Sequence, residues 1–137
     1  MDDCENLQPT ADDNKLAMML SITMSGFFNN EMERASAFRR VLREHAGIEL
    51  SATKIDGTEY STDGDIQYKG LRYAIAEVKN EIGSTNAEPH FQAISYYIHA
   101  TKSFAKNKAE FRFPCILIGL FGKFSVSHNS HCTDYDL

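Results

Sequence analysis

The chain has 137 residues, 42 % of them hydrophobic and 24 % charged, which allows one domain with a real core and is too short for two ordinary ones. Its net charge of −5 excludes a protein that coats nucleic acid through bulk positive charge, while leaving room for an enzyme that touches a few phosphates. Cys4, Cys115 and Cys132 form no paired framework, and the acidic opening MDDCEN lacks the basic start of a secretory signal, so an intracellular protein, cytoplasmic or nuclear, is expected.

Residues 1–14 are polar, acidic and turn-rich and read as a disordered lead, with a single domain over 15–137. Residues 15–28 read as a helix or a packed apolar segment. Their apolar run is broken by Ser and Thr and is too short to span a bilayer, so no membrane association is expected. Over 30–46, Ala35, Phe38, Val41, Leu42 and His45 recur at helical spacing, with Gly47 as the C-cap. Short extended pieces follow around the turn Asp56-Gly57, then strands over 64–69 and 71–79, and a loop over 83–89. Pro89 opens an amphipathic helix over 88–106 whose apolar side holds Phe91, Ile94, Tyr97 and Ile98. Strands are expected again over 115–120 and 124–127, with Cys115 an inert buried thiol. The abrupt ending at Asp134-Tyr135-Asp136-Leu137 reads as a C-terminal truncation or as one piece of a larger architecture. The order helix, strand, strand, strand, helix, strand, strand is that of an α/β sandwich built on a mixed sheet.

The richest stretch is STDGDIQYKGLRYAIAEVKNE, residues 61–81. Its run Tyr73-Ala74-Ile75-Ala76 reads as a strand buried on both faces, and it ends in Glu77-Val78-Lys79. Side chains alternate along a strand, so Glu77 and Lys79 share a face. Two charges at the end of a buried strand are costly unless they are paired or hold a metal. With Asp63 or Asp65 on the preceding strand, this arrangement points to metal-dependent phosphodiester cleavage. Both aspartates have the same parity. A three-residue loop, Lys69-Gly70-Leu71, would set Asp63 opposite Glu77.

This ordered set resembles the PD-(D/E)XK nuclease superfamily, whose signature is an aspartate at one strand's start and Glu-x-Lys at the end of the next. Asp63-Gly64 is similar to the family's Asp-Gly pattern, which favours Asp63 over Asp65. In the branch that includes RecB-like exonucleases, the following helix carries Gln-x-x-x-Tyr. Here Gln92-Ala93-Ile94-Ser95-Tyr96 stands in that position, with Gln92 and Tyr96 on one helix face. The wording Glu-Val-Lys-Asn-Glu-Ile-Gly, a Pro-x-x-Gln helix and a Phe-Pro-Cys strand look like a fungal group of such domains, found beside kinase-like domains or in Crinkler-type effectors. The resemblance covers roughly residues 30–130.

The resemblance implies a restriction-endonuclease-like core, a central mixed β-sheet flanked by helices. It implies Mg²⁺ or Mn²⁺ held by Asp63 and Glu77, since a hard divalent ion prefers carboxylate and water oxygens. Lys79 would stabilise developing negative charge, and Gln92 and Tyr96 would orient the nucleophile or a strand phosphate. An acid on the first helix often completes such sites; Glu31 and Glu33 are the candidates, ahead of Glu44, and Glu81 joins the Glu77 face if the strand continues. The implied activity is DNA hydrolysis, with RNA as a second substrate class. The alternative is a non-catalytic module of the same fold that binds nucleic acid or regulates a kinase-like partner.

Other residues have plainer readings. Arg34, Arg39, Arg40 and Arg43, with Lys102, Lys106 and Lys108, are candidates for phosphate contacts, against the alternative that they are the wet faces of two helices. His128, His131 and Cys132 match no standard zinc spacing and read as loop residues, and His90 and His99 read as structural.

Overall fold

The computed structural model describes residues 8–80, 88–107 and 114–122. The chain runs α1 (Ala11–Met24), α2 (Glu31–Ala46), β1 (Gly64–Tyr68), β2 (Leu71–Lys79), α3 (Pro89–Asn107) and β3 (Ile116–Phe121). The three strands make one sheet in the order β1-β2-β3, antiparallel between β1 and β2 and parallel between β2 and β3. The expected α/β class and mixed sheet are therefore present. The strand expected at 124–127 lies outside the described residues, as do Cys4, Glu81, Lys108, His128, His131 and Cys132.

The first helix begins earlier than its apolar pattern indicates. Thr10 accepts a hydrogen bond from the Asp13 N–H at 3.1 Å, and Asp13 accepts one from the Thr10 N–H at 2.8 Å. This reciprocal cap starts α1 at Ala11, so residues 11–14 belong to the helix and not to a lead. Leu16, Leu20 and Met24 pack from α1 against the cluster Phe38, Leu42, Leu50 and Ala76. Asn30 caps α2 at its start, and Gly47 ends it at φ 65°, its N–H donating to the Arg43 carbonyl and the Ile48 N–H to the Leu42 carbonyl.

Strand β2 is the centre of the molecule. Residues 74–78 are all buried because both faces are covered. Ala76 faces the α1–α2 cluster, and Ile75 faces a second cluster with Ile55, Ala93 and Tyr96. The buried side of α3 is thus centred on Ala93 and Tyr96, with Tyr97 and Ala100 beside them, and differs from the expected one. Phe91 and Ile98 are exposed, at 68 % and 56 %.

The β1–β2 hairpin also differs in one detail that matters. Its loop is the two-residue Lys69-Gly70, with φ 51° and 78°, a turn whose twist matches the flanking strands. A bulge supplies the residue that a three-residue loop would have provided. Gln67 pairs with Arg72 but Ile66 pairs with Ala74, leaving Tyr73 extra. Gly64 then faces Ala76, and Asp63 is the next residue toward Glu77. Among the described residues no helix is long and apolar enough to cross a membrane.

Candidate active site at the end of the central strand

Glu77 is 1 % exposed and shares its parity on β2 with Ile75, on the side covered by α3. Its Oε1 is buried without a hydrogen-bond partner. Burial is the main force pushing its carboxyl up to about 8, followed by repulsion from the Asp63 carboxylate; Lys79 and the Asp63 backbone oppose the rise, and Glu31 adds to it. A carboxyl in this state is held mostly protonated at neutral pH.

Asp63 is half-buried just before β1, and its Oδ2 accepts the Val78 N–H at 2.8 Å. That bond pins its carboxylate to the end of β2. Burial raises its pKa, and the Glu31 charge adds to the rise. The Val78 N–H, Lys79 and Arg39 oppose it. The Arg39 guanidinium donates to the Asp63 carbonyl and, at 3.2 Å, to Ser36 Oγ.

Lys79 Nζ lies 3.1 Å from Glu31 Oε2, and its side chain is 12 % exposed. The structure therefore brings Glu31, at the first position of α2, to this site. Glu33 is elsewhere: its carboxylate takes the Asn29 N–H at 3.1 Å and the Asn29 side-chain amide at 3.0 Å, a capping arrangement. Glu44 is exposed near the opposite end of α2.

Helix α3 contributes Gln92 and Tyr96, joined by a hydrogen bond from Gln92 Nε2 to Tyr96 Oη. Gln92 Oε1 is, like Glu77 Oε1, buried without a partner. Burial raises the Tyr96 pKa, and the Gln92 hydrogen bond opposes the rise. Smaller influences from Glu77, Lys79 and Asp63 put the phenol within electrostatic reach of the carboxylates. Tyr60 stacks on Tyr96 with ring centroids 5.4 Å apart, a contact between distant segments that carries no sequence signal.

Asp65 does not join this group. It is 2 % exposed, its Oδ2 lies 2.8 Å from Arg72 Nε, and Thr53, Thr62 and Gln67 donate to it. A carboxylate so fully engaged is a structural ion pair. Arg34, one of the phosphate-contact candidates, is also structural. It is 4 % exposed and donates to Asn80 Oδ1 at 2.9 Å and to the Met24 carbonyl at 2.8 Å. Its guanidinium lies 4.6 Å from the Phe28 ring centroid. Gly122 closes the same corner: its N–H donates to the Lys79 carbonyl at 2.9 Å, and a Cβ there would overlap the Asn80 carbonyl. Cys115 is half-buried, its thiol pKa raised by burial.

The site thus joins Asp63, Glu77, Lys79, Gln92 and Tyr96 with Glu31. Asp63 lines an open cleft of about 970 Å³, shared with Glu31, Arg39, Thr62 and Asn80. Among the described residues no three His, Cys, Asp or Glu side chains are grouped to form a metal cage. The polar groups here are the Asp63 and Glu77 carboxyls, whose charges repel, with Glu77 Oε1 and Gln92 Oε1 buried without partners. Asp63 and Glu77 are the residues that could hold a cation. No family model matches this chain, and neither does any curated protein or solved structure.

Proposed function

We propose that the protein is a metal-dependent nuclease of the restriction-endonuclease-like type, hydrolysing phosphodiester bonds of DNA. The observation that carries this reading is Glu77: a carboxyl with an unpartnered buried oxygen, its pKa raised by burial and then by the Asp63 carboxylate, with Lys79 opposing the rise. A structural ion pair would be neutralised, as Asp65 is by Arg72. Glu77 lacks such a partner, as Lys79 is engaged by Glu31.

Asp63 and Glu77 are the residues that would hold Mg²⁺ or Mn²⁺. Two carboxylates suffice, because Mg²⁺ usually keeps several waters and takes further ligands from substrate phosphates. When bound, the ion supplies Lewis acidity for the phosphate and lowers the pKa of water. Glu77 must release its proton for the ion to enter, so loading strengthens as pH rises toward about 8. Lys79 Nζ stabilises the negative charge that grows on a non-bridging oxygen as water's oxygen bonds to phosphorus and the ester P–O bond breaks. Gln92 Oε1, buried without a partner, would accept a hydrogen bond from the attacking water, and the bond to Tyr96 holds the Gln92 amide in place. Thus each residue has a separate task.

The test is incubation of plasmid, linear and single-stranded DNA with the protein in Mg²⁺, Mn²⁺ or EDTA, beside Lys79→Ala. Metal-dependent cleavage by the wild type alone supports the nuclease. No cleavage, with calorimetry showing no Mg²⁺ or Mn²⁺ binding, assigns the chain to the non-catalytic class, a module that binds nucleic acid or regulates a kinase-like partner.

A further inference from the structure

A second groove, about 730 Å³, runs along α2 beside the site, walled by Phe28, Met32, Ser36, Arg39, Arg40 and Arg43. It shares Met32 and Arg39 with the cleft at Asp63, so the two lie side by side across those residues. Arg39 is half-buried and anchored on the Asp63 carbonyl. Arg40 and Arg43 are exposed, and neither belongs to any of the ion pairs among the described residues. Spacings of three and four residues keep Ser36, Arg39, Arg40 and Arg43 along one side of the helix. Two acids also line the groove. The Glu33 carboxylate is occupied by Asn29, and Glu49 is exposed in the segment that follows α2.

Three arginines against Glu33 and Glu49 leave the groove a net charge of +1, opposite in sign to the −5 of the chain as a whole. The groove itself is small, about 730 Å³. Its volume matches the bulk of a drug-sized ligand, and so a short length of single strand. Cationic side chains beside Phe28 and Met32 are the combination that single-strand grooves use, with phosphates on the charges and bases against apolar faces.

We propose that this groove carries the phosphodiester backbone of single-stranded DNA to the Asp63–Glu77 carboxylates, with Arg40 and Arg43 as the phosphate contacts. The proposal rests on the nuclease reading above, since that reading supplies the reason for a strand to arrive there. Arg39 stands where the groove meets the cleft and guides the strand toward Asp63.

The experiment is fluorescence anisotropy of fluorescein-labelled oligothymidylate in EDTA across a salt series. It compares wild type, the double variant Arg40→Gln/Arg43→Gln, and the control Lys15→Gln/Lys69→Gln on exposed positions of α1 and the β1–β2 turn. Circular dichroism confirms that each is folded. The Arg40/Arg43 variant is expected to bind about 10-fold or more weakly, and its log–log salt slope to be flatter by about 1.4, the loss of two contacts at about 0.7 each. The control is expected to stay within about two-fold of wild type, far below the effect of losing two phosphate contacts. Unchanged affinity and slope in the Arg40/Arg43 variant, no wild-type binding at low salt, or tighter binding of a duplex would each overturn the groove. Plasmid and oligonucleotide cleavage in Mg²⁺ separates this from the parent reading. Cleavage with unchanged binding in the variant removes the groove alone. Groove-dependent binding with no cleavage in Mg²⁺ or Mn²⁺ removes the nuclease and leaves the groove.

Discussion

The Glu31 carboxylate holds the Lys79 ammonium at 3.1 Å, across 48 residues of sequence, at the point where α2 begins and β2 ends. Because Glu31 also pushes Glu77 and Asp63 upward, this contact affects both the cation and the carboxylates. Lys79→Ala removes the lysine that Glu31 holds at the site and is expected to cut kcat by about 100-fold or more. Glu31→Gln keeps the lysine and is expected to cost less, about 10-fold at most in kcat. It also moves the acidic limb of the pH–rate profile to lower pH, since one repelling charge is gone from Glu77. Equal losses with an unmoved limb would contradict this division of roles.

Asp63 and Asp65 are two residues apart, yet they predict opposite phenotypes. Asp65→Ala leaves the Arg72 guanidinium buried and unpaired, and is expected to destabilise the fold by about 3 kcal/mol or more. Asp63→Asn keeps an oxygen to accept the Val78 N–H and removes a charge that burial opposes. Its stability is expected to stay within about 1 kcal/mol of wild type while cleavage is lost. Urea melts and cleavage assays on the two variants decide it. A stable, inactive Asp65→Ala with an active Asp63→Asn would reverse the assignment.

Most of the local structure was legible because it follows short-range rules. The Gly47 cap, the buried run of β2 and the Pro89 start of α3 are written in consecutive residues. Of the residues singled out by their likeness to a nuclease signature, Tyr96 is hydrogen-bonded to Gln92 and lies within electrostatic reach of Glu77 and Lys79. What escaped depends on contacts between distant segments. The Thr10–Asp13 cap lies in a stretch whose composition reads as disordered, so one reciprocal hydrogen-bond pair outweighed composition. The bulge at Tyr73 has no local marker, and only the burial of β2 on both faces fixes that register. The choice between Glu31 and Glu33 turns on which side of the helix faces Lys79, a tertiary fact. In sequence Arg34 reads, like Arg39, Arg40 and Arg43, as a phosphate contact or a wet-face residue, because nothing nearby announces Asn80 and the Met24 carbonyl as its partners.

The state of Glu77 makes stability depend on pH in an unusual direction. Its carboxyl titrates near 4.5 when unfolded and about 8 when folded, so between these values the folded protein binds the extra proton. The metal-free protein therefore has this group's full stability below about 4.5, loses it as pH rises toward 8, and levels off above. In EDTA, Glu77→Gln is expected to flatten that decline and to raise Tm at pH 8.5 by about 4 °C or more, the shift for about 1 kcal/mol in a domain of this size. Mg²⁺ is expected to raise the wild-type Tm most at high pH and to leave Glu77→Gln nearly unmoved. Scanning calorimetry across pH 5–9 with and without Mg²⁺ measures both. A wild-type Tm that rises steadily through this range in EDTA would show that Glu77 is ionised without a cation.

Lys69 adopts φ 51° in the two-residue turn between β1 and β2, a conformation that costs a lysine about 1 kcal/mol and an asparagine much less. Asn-Gly is the pair this turn geometry favours, and Lys69 is exposed, its ammonium 5.2 Å from the Tyr68 ring centroid. Lys69→Asn gives up that weak contact and relieves the backbone, so a net gain of about 0.5 kcal/mol is expected. The gain bears on the site because this turn and the Tyr73 bulge together set Gly64 opposite Ala76, and with it the position of Asp63. Stabilising the turn without changing its length should leave cleavage activity as it is. A urea midpoint that rises with an unchanged slope, together with unaltered cleavage, is the expected result. A fall in the midpoint would show that the hairpin closes through a different turn, and the register that aims Asp63 at Glu77 would have to be redrawn.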